Sequence, residues 1–259
     1  MSYKKITGRP AFLILASIGA IFTFGMIHIP AAHAADCGIT LGDVAQITAI
    51  QKDPTLSSDE EVTQELAVRK ALVGRTISCA QQEVQTLQAT LSSSTVPADV
   101  QPLQSQLSGN LSDAGNYYAL EMTKLNSVGI SGSEAIAQEV LAWRASTFIP
   151  LSESVKNFIL WSQNQNLFVT AQTRMVATQR AVSFLESNSP DADLQTAFDT
   201  AQSSFDDAES QNAQAKEAFA QGLSPKQSLA LIRQSLGSLS TTYQNFFTVS
   251  TIIKSLLPQ

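Results

Sequence analysis

Apolar side chains recur every seven residues through the last third of the chain, and this spacing fixes most of what the chain can become. Over 161–185 the series is Trp161, Phe168, Met175 and Val182, interleaved with Asn164, Ala171, Thr178 and Leu185. Over 194–219 it is Leu194, Ala201, Ala208 and Ala215, interleaved with Phe198, Phe205, Asn212 and Phe219. Over 229–257 it is Leu229, Leu236, Tyr243 and Leu257, interleaved with Ile232, Leu239, Phe246 and Ile253. Alternating steps of three and four hold one stripe of a helix against a neighbour crossing at about +20°, as in coiled coils and bundles.

These stripes dock on one another without adjustment. A tight turn at Gly222–Pro225 pairs antiparallel residues whose numbers add to about 447. Ala215 then meets Ile232, Ala208 meets Leu239, Ala201 meets Phe246 and Leu194 meets Ile253. Small faces large in three of these four layers, which is how a core reaches close packing. A turn near residue 189 gives pairs adding to about 376, with Met175 on Ala201 and Phe168 on Ala208. In that register Asn164 lies opposite Asn212. Two buried amides satisfy each other and fix register, so this pair is expected as a polar lock, with a ligand-binding polar pocket as the alternative.

Punctuation sets the helix ends. Thr40-x-x-Asp43, Ser58-x-x-Glu61, Ser131-x-x-Glu134 and Ser224-x-x-Gln227 read as capping boxes, and Ser189-Pro190 and Ser224-Pro225 as a cap followed by a first-turn proline. Gly222 suits a left-handed stop. Helices are expected at 40–52, 58–93, 97–128, 132–149, 151–187, 190–221 and 225–257. The first half carries looser stripes, Val73 to Leu91 and Leu103 to Leu125. Ile136, Val140, Trp143 and Thr147 share the seven-residue phase of Trp161, so the helix is expected to run on through Pro150 with a kink. The fold class expected is all-α: an elongated antiparallel bundle with coiled-coil-like packing. It has two three-helix units end to end, 58–149 and 150–259, sharing the kinked central helix. This plan resembles the arrangement of spectrin-type repeats in architecture alone; no sequence motif accompanies the resemblance.

Residues 1–34 read as an export signal. Lys4, Lys5 and Arg9 precede an apolar run over 11–29, then Pro30 and the small-x-small site Ala32-His33-Ala34, with cleavage between Ala34 and Ala35. The alternative is an uncleaved N-terminal anchor, the only membrane contact expected. Cleavage removes three bases and no acid, taking the formal charge from −6 to −9, and removes both histidines, His28 and His33. Histidine-based triads and imidazole metal sites go with them. The acidic balance without a basic cluster argues against nucleic acid. Cys37 and Cys79 suit a disulfide in an oxidising compartment. With 35–57 forming a short helix folded back on the long one, the two cysteines reach about 28 and 31 Å from the turn, similar heights.

Other constellations are weak. Asp191 and Asp193 complement a helix N-terminus, and Asp199, Asp206, Asp207 and Glu209 fall on a solvated face. No catalytic, cofactor or metal motif is expected. Tyr117 and Phe247 lie off the stripes and are the candidate partner contacts, whereas Tyr118, Trp143 and Phe246 lie on them. In NFILWSQNQNLF, residues 157–168, one turn is apolar all round and should be surrounded where the two units join. A sugar platform at Trp161 requires that ring to be exposed. The sequence predicts an exported, non-enzymatic module, periplasmic, cell-surface or extracellular, monomeric or weakly self-associating, with a structural or protein-interaction role in the cell envelope. A carrier for an apolar ligand or a surface adhesion module is the alternative.

Overall fold

The structure, a computed structural model, describes residues 41–188 and 191–256. Among the described residues the chain is all-α, with seven α-helices: α1 (Leu41–Gln51), α2 (Ser58–Ser93), α3 (Gln101–Ser127), α4 (Ile130–Trp143), α5 (Ile149–Asn188), α6 (Ala192–Ala220) and α7 (Pro225–Leu256). A 3₁₀ turn, Ala98–Val100, leads into α3. Export-signal residues 1–34, the cleavage pair Ala34 and Ala35, Cys37, Thr40 and the Ser189-Pro190 cap all lie outside the described residues.

The caps correct the expected boundaries locally. Ser57, not Ser58, caps α2: its hydroxyl accepts from the Glu60 amide, and the Glu60 carboxylate accepts from the Ser57 amide. Two adjacent serines each precede an acid by three residues, so either box is possible in sequence. α4 starts one residue before Ser131, after Gly129, with no side-chain cap. Asp191 caps α6, its carboxylate accepting from the Asp193 and Leu194 amides at 3.0 Å each. Gly222 takes φ +66°, the left-handed stop expected between α6 and α7.

The helix does continue through Pro150. Proline has no N–H for the carbonyl of Ser146, and its ring would press against that carbonyl in a regular helix. A single π turn, Arg144–Phe148, widens the spiral just before it, with the Ile149 amide donating to the Arg144 carbonyl. The helical path therefore runs unbroken from Ile130 to Asn188.

α6 and α7 form the most extensive pairing. Ser235 Oγ donates to the Ala208 carbonyl, and Ser238 Oγ to Gln211 Oε1, both at 3.1 Å. These pairs lie up to four residues from the expected register, and the buried side of α7 is also displaced. Ser228, Ser235, Thr242 and Val249 lie beside Ile232, Leu239 and Phe246, in place of the expected Leu229, Leu236 and Tyr243, because the small side chains let the two helices approach closely. Ala201, Ala208 and Ala215 are fully buried, as small-against-large layers require. α5 runs parallel to α7: Asn157 Nδ2 donates to the Pro225 carbonyl at 2.7 Å, and the Arg174 guanidinium lies over the Tyr243 ring.

Two apolar clusters fill the interior. The second joins Phe168, Met175 and Val182 of α5 to Leu194, Phe198 and Phe205 of α6 and to Leu239 and Phe246 of α7. The first gathers α2, α3 and α4 around Leu91, Leu111, Tyr118 and Val140, but it does not stop at residue 149. It takes in Val155, Phe158 and Trp161 of α5, Phe219 of α6 and Ile232 of α7. Phe158 and Ile159 are fully buried, which is why this turn can be apolar all round.

Candidate functional site

A polar layer separates the two clusters. α5 contributes Asn164 and Gln165, α6 contributes Gln211 and Asn212, and α7 contributes Ser235. Asn212 does not pair with Asn164. Gln165 Nε2 donates to Asn212 Oδ1 at 3.2 Å, and Asn212 Nδ2 donates back to Gln165 Oε1 at 3.1 Å. The second Gln165 N–H goes to the Trp161 carbonyl at 2.7 Å. Gln165 sits one residue off the stripe, but its longer side chain reaches across the interface from the flank. Asn164 Nδ2 is buried and makes no hydrogen bond among the described residues. Spacing assigns Asn164 to the interior; it cannot tell which amide is long enough to meet Asn212.

Trp161 is 3% exposed, and its indole N–H points toward the Asn212 carbonyl at 3.3 Å. A ring so enclosed cannot serve as a stacking platform for a sugar, and that use of Trp161 falls.

Beside the polar layer a cleft of about 310 Å³ opens to the surface. Its apolar floor is the edge of Trp161 with Phe168. Gln165 and Asn212 form one wall, and Glu209 stands at the mouth. The turn before α3 closes the far side through Pro97 and Asp99, held there by an ion pair from Lys216 to Asp99. The Lys216 ammonium keeps the Asp99 carboxyl below its ordinary range. Partial desolvation against the cleft, then the Asp206 carboxylate on the same helix, raises that of the otherwise exposed Glu209. Glu209 makes no hydrogen bond or ion pair among the described residues. Sequence patterning could not have found this cleft, because its walls come from segments more than a hundred residues apart.

The second polar cluster lies between α3 and α4. Tyr117 stacks on Trp143 with centroids 3.9 Å apart, and Tyr118 meets Trp143 and Phe148 edge-on. Tyr117 is therefore not an exposed contact: the buried stripe of α3 is wide enough to include it, because α4 packs on that side. Burial, then the carboxylates of Glu121 and Glu139, push the Tyr117 hydroxyl up to about 12. Glu121 is 0% exposed; Lys124 Nζ bonds Oε1 at 2.6 Å, while Oε2 and the Tyr117 hydroxyl have no partner among the described residues. Arg144, in the π turn, donates to Glu83 at 2.6 Å and lies over the Phe148 ring. The pair ties α2 to the π turn between α4 and α5.

Phe247 is 77% exposed, as its place off the stripe implies, and Val169 is 65% exposed on α5. Asp193, Asp199, Asp206, Asp207 and Glu209 are all exposed on α6. Among the described residues no three carboxylate or thiol side chains converge where a metal ion could sit, and no helix is long and apolar enough to cross a membrane. Comparison with known protein families, with curated proteins and with solved structures gives no match to this chain.

Proposed function

We propose that the chain is an exported, non-enzymatic helical bundle acting as a structural or protein-interaction module of the cell envelope. The observation that carries this reading is the pair of outward apolar side chains, Phe247 and Val169, on helices whose inward stripes are already filled. A contiguous exposed apolar area is where a partner docks, and these two side chains supply the positions at which docking is tested. Export is supported by the basic start, apolar run and small-x-small site of residues 1–34.

A Cys37–Cys79 bridge belongs to the same proposal. α1 runs antiparallel on α2, with Gln51 bonding Glu65 and Asp43 bonding Arg75. Each step back along α1 is a step forward along α2. This register sets Asp43, near the start of α1, beside Arg75, one turn before Cys79.

The test is photo-cross-linking in the native host from a benzophenone residue at position 247 or 169, with cell fractionation. Discrete protein adducts in the extracytoplasmic fraction are expected. Retention of the chain in the cytoplasm, or adducts equally abundant from the exposed polar position Gln195, would overturn the reading.

A further inference from the structure

We infer that the cleft between α5, α6 and the Pro97–Asp99 turn receives one basic side chain, a lysine or arginine, of a protein partner. The case rests on a hydrogen-bond inventory. Both N–H groups of the Gln165 amide are spent, one on Asn212 and one on the Trp161 carbonyl. Its Oε1 and the Asn212 Oδ1 each accept one bond and keep a second lone pair. The Trp161 indole N–H is directed inward at the Asn212 carbonyl. Among the described residues Lys216 is the one cation lining the cleft, and it is engaged by Asp99. What remains for an occupant is one Asn212 N–H and the outer N–H groups of Lys216 as donors, against two amide oxygens and the Glu209 carboxylate as acceptors. The acceptors predominate, and Glu209 carries the one charge of the lining without an ion-pair partner among the described residues. A positively charged ligand rich in donors fits, which describes an ammonium or guanidinium group.

The floor fits the rest of such a side chain. Phe168 and the Trp161 edge are apolar, so a methylene stem can lie along them while the charged end meets Glu209. The charge of the lining is complementary: Asp99 and Lys216 neutralise each other, which leaves the Glu209 carboxylate as the net charge. A volume of about 310 Å³ suits one long side chain better than a folded segment.

This deepens the proposed interaction role and depends on it for the source of the side chain. The test titrates the full chain, isotope-labelled, with a glycine-flanked lysine peptide, its norleucine counterpart and pentylamine. The side-chain resonances of Gln165, Asn212 and the Trp161 indole are followed. The lysine peptide should shift all three, norleucine should not, and pentylamine should bind more weakly than the lysine peptide. Glu209→Gln should weaken the lysine peptide about tenfold. Asp199→Asn with Asp207→Asn, acids of the same helix outside the cleft, should change it less than twofold. Norleucine binding as well as lysine would overturn the inference. So would equal loss in the Asp199/Asp207 variant, which would mean diffuse charge, or equal affinity for pentylamine, which would assign the cleft to a free amine. Cross-linking from positions 247 and 169 reads the interaction role separately. Adducts there with no lysine effect would remove the cleft alone; lysine binding without adducts would remove the broader reading.

Discussion

Asn212 and Gln165 exchange two hydrogen bonds in the polar layer between the two apolar clusters, so each loses its partner if the other is removed. Asn212→Leu and Gln165→Leu should each cost about 1–3 kcal/mol in urea unfolding, and the double variant less than the sum, with a coupling of about 0.5–3 kcal/mol. Strict additivity would mean that the pair is not formed. A second residue-scale expectation concerns pH. Folding raises the Tyr117 pKa to about 12, so the folded state favours the neutral phenol. Its contribution to stability is fully present below the unfolded value near 10 and is lost as pH rises through the folded one. Tyr117→Phe should therefore flatten the loss of stability between about pH 10 and 12, measured by thermal unfolding across that range. That Asn212 lies at an interface was legible from its place in the stripe. Its partner was not, because a one-residue choice between Asn164 and Gln165 turns on side-chain length and the helices' mutual rotation.

At the scale of elements, helix existence and length follow from local rules that survive in the structure nearly unchanged. The caps discriminate sharply: Ser57→Ala should cost about 1 kcal/mol, and Ser58→Ala close to nothing. Glycines inside helices give effects of opposite sign. A Cβ at Gly237 of α7 meets nothing within 4 Å, so Gly237→Ala should stabilise by about 0.5–1 kcal/mol through helix propensity. A Cβ at Gly132 would stand 2.6 Å from the Val128 Cβ, inside contact distance, so Gly132→Ala should destabilise by about 1–3 kcal/mol. Thermal melts of the two variants moving in the same direction would contradict this. The π turn was only half legible. Phase continuity across Pro150 announces a continuous helix, but the way a missing N–H is absorbed depends on what surrounds it. Here Arg144 is fixed by Glu83 and Phe148 within that turn.

At the scale of the whole molecule, two apolar clusters meet across one polar layer, and α5 passes through both. The α2–α3 turn is strapped to α6 by Asp99 and Lys216, so the first three long helices and the last three share more than the central helix. The proposed bridge acts at this scale too. If Cys37 and Cys79 are joined, alkylation of the exported protein should label neither cysteine until reduction, and Cys79→Ser should lower stability by about 3–4 kcal/mol. Labelling of both thiols without reductant would rule the bridge out.

The sequence by itself determined that this protein is helical, where its helices lie and which stripes of α5 and α6 turn inward. All of these depend on residues within one or two turns of each other, where the fixed angle per residue makes spacing equivalent to direction. Only the tertiary structure decided that Tyr117 is stacked, that Trp161 is enclosed, that Gln165 and not Asn164 holds Asn212, and that a cleft opens beside them. Each of those depends on a neighbour brought in from far along the chain, at a rotation and distance that side-chain volume sets and spacing does not encode.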